Sequence, residues 1–345
     1  MPNDILTRAI DELCDGTNLT ADHTSAALAE IMEGRVEPVQ IGAFLIALRA
    51  KGETDAELVG LARTMRALAA HVEIGDKTLV DTAGTGGGPT TFNVSTTAAL
   101  IAAGAGCCVA KHGNRSATSR SGSADLLEAL GVQIELSPEQ VAECINEVGF
   151  GFMFAPKHHQ ATKEVVPVRK ELGVRTIFNL LGPLTNPAGA KRQLLGVSDR
   201  SFQETIAEAL VSLGCERAMV VSGDDGLDEL STTARTRVIE VVEGGTEEWF
   251  VEAEELGLKP ASLDEISGGE PEENAAVVKE TFDGGSGPAR DIAVLNAGAA
   301  IFVAGQADDL AAGVEQAGEA LTSGAAGDVL EKLVARSSEL AGAAS

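Results

Sequence analysis

Asp81-Thr-Ala-Gly-Thr-Gly-Gly-Gly-Pro-Thr-Thr-Phe-Asn-Val-Ser-Thr96 joins a short apolar lead to four glycines and then to a row of small hydroxyl residues. Leu79 and Val80 read as the end of a buried strand, and Ser95 or Thr96 is placed to cap the Ala-rich helix that follows. Gly84, Gly86, Gly87 and Gly88 then fall in a strand-to-helix turn, which presents backbone N–H groups and a helix N-terminus to an anion. The spacing matches neither of the two best-known nucleotide loops. No Lys-Ser/Thr pair follows the glycines, and Pro89 stands where a dinucleotide fingerprint needs its third glycine. Taken alone, the loop is either a phosphate cradle or a tight turn.

C-terminal to this loop, strands and helices alternate, the pattern of an α/β unit with ligand sites at the carboxyl ends of its strands. Strands are expected at 107–110, 150–154, 194–197 and 218–221. Helices are expected at 124–130 with Ser123 as cap, after Ser137-Pro138, over 158–172 with a kink at Pro167, and over 202–213. Residues 175–187 form a loop with two prolines and enough apolar weight to pack at a domain junction. A hairpin is expected over 237–251 around Gly244-Gly245, and an acidic, Gly-rich stretch over 266–274 leads into three Ala-rich helices.

N-terminal to the loop the periodicity is helical. Ile5, Leu6, Ala9, Ile10 and Leu13 share a face, Thr20 caps a second segment, Pro38 opens a third, and Thr54 with Glu57 forms a capping box for a fourth. The expected fold class is α/β: a small helical domain over residues 1–72, joined by helices from within about 137–187, hinged to a larger α/β domain over 76–345 with a central, mostly parallel sheet.

With 345 residues and 44% apolar content the chain can bury two cores. Its 52 acidic against 26 basic residues give a net charge of -26, which repels nucleic acid and membrane surfaces. An anionic ligand therefore needs a local basic pocket. The acidity, with arginine outnumbering lysine, points to a salt-tolerant surface suited to a high-salt cytosol. The five cysteines have no Cys-x-x-Cys spacing and read as reduced core residues. No basic-then-apolar leader and no run of 18 apolar residues is present, so a cytoplasmic location is expected.

Four polar clusters lie at strand ends or in loops. In the first, Asn93, Ser95 and Thr96 extend the glycine loop; the hydroxyls suit phosphate oxygens or a metal, while Ser95 equally fits a plain helix cap. The second is Lys111, His112, Gly113, Asn114 and Arg115 followed by Ser116, Thr118, Ser119 and Ser123, where two cations and several hydroxyls could neutralise a polyphosphate. His112 is equally a general base or a structural hydrogen-bonder. In the third, Asp228-Glu229, adjacent hard carboxylates suit Mg²⁺ or make a solvated acidic turn. The fourth is Arg169, beside His158, His159 and Lys163: a planar fork for a carboxylate, or a surface helix arginine.

Gly84-Thr-Gly-Gly, Asn93-Val-Ser-Thr96, Lys111-His-Gly-Asn-Arg115, Ser121-Gly-Ser-Ala-Asp125, the 175–187 segment and Gly226-Leu-Asp-Glu-Leu-Ser231 together resemble the anthranilate phosphoribosyltransferase family over most of the chain. The resemblance implies an enzyme, usually a homodimer, that holds phosphoribosyl pyrophosphate and Mg²⁺ between its domains and serves tryptophan biosynthesis. It implies phosphoribosyl pyrophosphate contacts from Gly84, Gly87, Gly88, Thr91, Asn93, Val94, Ser95, Thr96, Lys111, His112, Gly113, Asn114, Arg115, Ser116, Ala117, Thr118, Ser119 and Ser123. Anthranilate would meet Gly84, Asn114, His159 and Arg169, and metal would meet Ser95, Asp228 and Glu229. Lys111, Asn114 and Arg169 are the residues expected to carry catalysis.

The chain departs from the family pattern twice. Gly88 stands where an Asp often follows the Gly-Thr-Gly-Gly motif, in a loop one residue shorter, and His159-Gln160-Ala161 replaces a frequent His-Pro-Ala. Two other readings share parts of the pattern. Pyrimidine nucleoside phosphorylases also carry a Gly-rich phosphate loop, but the Lys111–Arg115 and Asp228-Glu229 clusters favour a diphosphate with metal. Some similar proteins bind nucleic acid without catalysing, which the acidity and the lack of a basic stripe argue against. If the surface is adapted to salt, the melting temperature rises as KCl is taken to molar concentration; a flat series would show an ordinary acidic protein.

Overall fold

A computed structural model describes residues 1–116, 120–243 and 245–343. Ala117, Thr118, Ser119 and Gly244, each assigned a place above, lie outside the described residues.

Four helices open the chain: α1 (Asp4–Cys14), α2 (Ala21–Met32), α3 (Pro38–Lys51) and α4 (Asp55–Ala67). Their ends follow local chemistry. Asn3 caps α1 and Thr20 caps α2 through side-chain oxygens, Pro38 occupies the first turn of α3, and Thr54 and Glu57 cap α4 reciprocally. Glu57 is fully buried, and its carboxylate also accepts the Leu19 N–H at 2.9 Å and pairs with Lys51 at 3.1 Å.

The α/β part then runs β1 (Leu79–Gly84), α5 (Val94–Gly104), β2 (Cys108–Gly113), α6 (Ser123–Ala129), α7 (Pro138–Val148) and β3 (Phe150–Phe154). Next come α8 (Ala155–His158), α9 (Val166–Leu172), α10 (Phe178–Leu181), β4 (Arg192–Gly196), α11 (Gln203–Ser212) and β5 (Arg217–Gly223). The chain ends with β6 (Thr236–Val242), β7 (Gly245–Val251), α12 (Pro271–Phe282), α13 (Pro288–Ala304), α14 (Leu310–Thr322) and α15 (Ala325–Ala343). The strands form one sheet in the order β3-β2-β1-β4-β5-β6-β7, parallel from β3 to β5, with β6 and β7 antiparallel. This is the mostly parallel sheet expected. Val80, Val109, Leu195 and Val220 are shut off from solvent, as befits strands covered on both faces.

One face packs against α5 and the C-terminal helices in a single apolar cluster. On the other face, Leu195, Val197, Val220, Ile239 and Val241 share a core with Ile206 and Leu210 of α11 and with bundle residues such as Leu58 and Leu61. The 3₁₀ turn Gln160–Glu164 packs on α2, α9 on α3, and α10 on α4, whereas α7 packs on β3 and α15. Ile177, Leu181 and Leu184 of the 175–187 segment are buried in that second core, so its apolar weight is packed and not exposed.

The strand order places the site. From β1 the chain moves outward to β2 and β3, then returns to lay β4 on the other side of β1, so the carboxyl ends of β1 and β4 flank a crevice where the winding reverses. Gly84 and Gly196 are register partners at that end.

Several local expectations are corrected. Residues 158–172 do not form one kinked helix: α8, a 3₁₀ turn and α9 follow one another. Pro167 sits in the first turn of α9 instead of bending a longer helix, because proline's missing N–H costs nothing there. Asn93, in the left-handed conformation with φ 69°, precedes α5 in place of Ser95 or Thr96. Gly122 precedes α6 and Ser123 is its first residue. The acidic 266–274 stretch itself opens a helix at Pro271, which makes four C-terminal helices among the described residues. All five cysteines are free, but Cys14 is exposed. Among the described residues no helix is long and apolar enough to cross a membrane.

Replacing Glu57 by Ala leaves the Leu19 and Thr54 N–H groups unpaired and takes the counter-charge from Lys51, which keeps only Asn18 and the Gly52 carbonyl, with an expected loss of about 3–5 kcal/mol in denaturant unfolding. Glu57→Gln, which keeps an acceptor, should lose less.

Candidate active site

The glycine loop leaves β1 at Gly84 and crosses the crevice before α5. The Gly86 N–H donates to Asp228 Oδ2 at 2.7 Å, so loop and acidic turn meet directly. A Cβ at Gly84 would fall on that same carboxylate, and one at Gly196 on the Asp228 backbone, which is how the 223–231 segment comes to lie on the strand ends. Gly88 is closed in a different way: a Cβ there would fall on the carbonyl oxygen of Gly226. Position 88 therefore has no room for a side chain unless the Gly226 backbone moves.

Lys111, on β2, is buried and aims its ammonium across β1. It donates to the Thr82 carbonyl and to Thr82 Oγ1 at 3.0 Å, with Ser95 Oγ at 3.5 Å. Burial pulls its pKa down to about 8, opposed by the charges of Asp81 and Glu229. Asp81 is buried beneath it, its own pKa raised by desolvation, and is held by the Asn186 side chain at 2.7 Å and the His112 N–H at 3.2 Å. Neither Asp81 nor Asn186 was among the expected site residues; a charged residue inside an apolar parallel strand is the signal that marks Asp81.

Asp228 and Glu229 sit across from Lys111. Glu229 receives the Thr91 hydroxyl at 3.3 Å and the Ser95 N–H; burial, then the neighbouring Asp228 carboxylate, push its pKa up to about 8. Burial also raises Asp228. Two adjacent carboxyls that desolvation and mutual repulsion discourage from ionising fit a hard divalent cation, which would supply the missing charge. Among the described residues no three His, Cys, Asp or Glu converge, so such an ion would keep water or substrate oxygens in its shell, as Mg²⁺ commonly does.

The remaining expected residues divide. Val94 and Thr96 lie in the first turn of α5, and Thr96 Oγ1 is buried without a partner among the described residues. Asn93 is turned to structural work: its amide donates to the Ser121 carbonyl at 2.9 Å and accepts from Ser121 Oγ and from Asn274 on α12. Arg115 is drawn away by Asp125 at 2.9 Å and by Glu128, so it is not the second free cation of its loop. Gly113 lies against Phe152, 2.8 Å from where a Cβ would sit. Asn114 is exposed and accepts the Arg115 N–H, and the Ser116 N–H goes to Asp125 at 3.1 Å.

On the bundle side, Arg169 is partly buried over the Phe178 ring, with one long hydrogen bond to Asn179 at 3.4 Å. Burial lowers its pKa. The His112 and His159 rings lie tilted against each other at 60°, with centroids 5.0 Å apart, bonded to the Gly182 and Thr185 carbonyls. Burial depresses them to about 3 and about 4, so both are neutral at pH 7. A further arginine, Arg175, reaches the glycine loop and was not anticipated.

Gly88→Asp should be destabilising by about 1–3 kcal/mol, since the backbone of Gly226 must move; thermal unfolding with Gly88→Ala alongside would separate the cost of bulk from that of charge.

Residues 7–69 match the glycosyl transferase family helical bundle domain and residues 76–327 the glycosyl transferase family a/b domain. The chain is 52% identical over 340 residues to anthranilate phosphoribosyltransferase from Rubrobacter xylanophilus, covering 98% of this chain and 99% of that one. A crystal structure of the Thermus thermophilus anthranilate phosphoribosyltransferase superposes with a TM-score of 0.90 at 46% identity, covering 95% of this chain and 99% of that one. The Saccharomyces cerevisiae enzyme in complex with PRPP and Mg gives 0.88 at 28% identity, covering 97% and 98%. The same yeast enzyme in complex with 4-fluoroanthranilate gives 0.87 at 26%, with the same coverage. With both domains matched in order and half its residues shared along nearly the full length, the chain belongs to the anthranilate phosphoribosyltransferase family.

Proposed function

We propose that this chain transfers the phosphoribosyl group of 5-phosphoribosyl 1-pyrophosphate (PRPP) to the amine of anthranilate, giving N-(5-phosphoribosyl)anthranilate and pyrophosphate in L-tryptophan biosynthesis. The observation that carries the reading is the meeting of the glycine loop, Lys111 and the Asp228-Glu229 pair at the crevice between β1 and β4. That arrangement favours a diphosphate with a metal over the single phosphate of a nucleoside phosphorylase.

In the reaction the C1–O bond to pyrophosphate breaks as the anthranilate nitrogen bonds to C1, and the amine proton is lost to solvent. An aromatic amine is a weak nucleophile, so stabilising the leaving group and positioning the acceptor carry the rate. Asp228, Glu229 and Ser95 would hold Mg²⁺, which when bound supplies charge to the diphosphate. Lys111, Thr91, Thr96 and the backbone of Gly84, Gly87 and Gly88 line the donor side, with Asn114, Ser116 and Ser123 beyond β2. Arg169 offers its fork to the anthranilate carboxylate, its long bond to Asn179 being weak enough to exchange. His159 walls the acceptor side as a neutral ring, with the neutral His112 ring tilted against it. No general base is required.

The two-part organisation follows the same reading: a bundle at 1–72 with pieces of 155–187 against it carries Arg169, and the α/β part carries the donor machinery. A homodimer in the cytoplasm is part of the proposal. Ile5, Val39 and Ile46, exposed by 43%, 78% and 38% on the neighbouring helices α1 and α3, offer an apolar face to a second copy.

The test is to mix the protein with Mg²⁺, PRPP and anthranilate and follow anthranilate fluorescence. Decay that stops when Mg²⁺ is chelated is expected; no decay, with thymidine phosphorolysis in its place, would favour a nucleoside phosphorylase. Arg169→Ala should raise the anthranilate KM about ten- to a hundredfold, as for a lost charge-assisted hydrogen bond, with little change for PRPP. Equal weakening of both substrates would displace Arg169 from the acceptor site.

A further inference from the structure

Gly86 is held on both sides of its Cα, through the Thr85–Gly86 peptide by its N–H and through the Gly86–Gly87 peptide by its carbonyl. Its N–H meets Asp228 at 2.7 Å, while its carbonyl accepts Arg175 Nη2 at 3.1 Å and Ser198 Oγ at 2.7 Å. Gly87, at φ 90°, has no side chain to obstruct this: a Cβ there would fall on the Arg175 guanidinium. Arg175 is itself fixed from the bundle, its carbonyl accepting Arg49 Nη1 of α3 at 2.8 Å. One residue on, the Thr176 N–H shares Asn179 Oδ1 with Arg169, at 3.1 and 3.4 Å. A short turn therefore touches the bundle, the partner of the acceptor arginine and the glycine loop.

We infer that Arg175 is a positioning residue that, by holding the Gly86 carbonyl, fixes the orientation of the Gly86–Gly87 peptide next to the Gly86–Asp228 contact, and so couples the acceptor-side turn to the donor loop. A Gly86–Gly87 peptide free to rotate would turn the Gly87 N–H with it, and the loop would lose a fixed donor. Ser198 binds the same carbonyl from the α/β side, so Arg175 is the contact that links it to the bundle. Arg200 provides the control. It lines the same pocket of about 460 Å³, together with Gly87, Gly88, Pro89, Ser198 and Gly226, but its guanidinium goes to the Ser222 carbonyl at 2.8 Å and to Asp224 at 2.7 Å, not to the loop.

The kinetic part of this inference rests on the proposed transferase reading; the structural part does not. Hydrogen exchange of the substrate-free protein, followed by mass spectrometry on peptides spanning 84–92, should be about tenfold faster in Arg175→Ala, partly restored in Arg175→Lys and unchanged in Arg200→Ala. In steady state Arg175→Ala should raise the PRPP KM several-fold more than the anthranilate KM. Unaltered exchange over 84–92, or faster exchange throughout the chain with both KM values rising together, would overturn the inference. So would an equal effect of Arg200→Ala, which would reduce Arg175 to one of two pocket charges. Absence of turnover in the unmodified protein would sink the transferase reading, and exchange would still judge Arg175.

Discussion

The contact on which the site depends is a backbone one: the Asp228 main chain lies against Gly196 and its carboxylate against Gly84, at the paired ends of β4 and β1. Any side chain at either glycine would lift the 223–231 segment off the sheet. With it would go the Asp228 link to Gly86 and the approach of Glu229 to Thr91 and Ser95. The segment is also held from the far side. Asp225 accepts the Ser231 hydroxyl, and Asn296, a polar residue within the apolar helix α13, clamps both backbone groups of Leu230 at 2.8–2.9 Å.

Electrostatics then sets what the crevice can hold. Asp81, Lys111 and Glu229 are buried titratable groups in series, with Asp228 a further carboxyl, and desolvation disfavours the charged form of each. A bound divalent ion would favour the ionised forms of the carboxyls that burial opposes. The histidines contribute no charge, since burial keeps them neutral. Binding of a polyanion and binding of a metal are therefore complementary, each reducing the cost of the other.

Much of this was legible in the sequence because the signals were local. Buried strands read as short apolar runs, Thr54 and Glu57 announced their capping box, and the order of glycines, hydroxyls and acids located the crevice. What stayed hidden depended on distant partners. Ser95 and Thr96 have good capping chemistry, but Asn93 takes the position because Ser121 and Asn274, far along the chain, hold its amide in a left-handed turn. Arg175 stood in a stretch read for its apolar residues, and its target is a main-chain carbonyl, which no side-chain pattern reveals. Arg115 was readable in principle: Asp125 and Glu128, three apart on α6, form a carboxylate pair on one helix face.

That sequestering of Arg115 has a consequence for how a substrate arrives. The protein's net charge is -26, and an arginine that might have drawn a polyanion inward is instead neutralised by α6. Diffusional encounter with a phosphate ester is then opposed over long range and favoured only within the crevice. Salt shortens the reach of that repulsion, with a Debye length falling from about 10 Å at 0.1 M to about 3 Å at 1 M. Capture of an anionic substrate should thus quicken as ionic strength rises, the reverse of the usual steering between opposite charges.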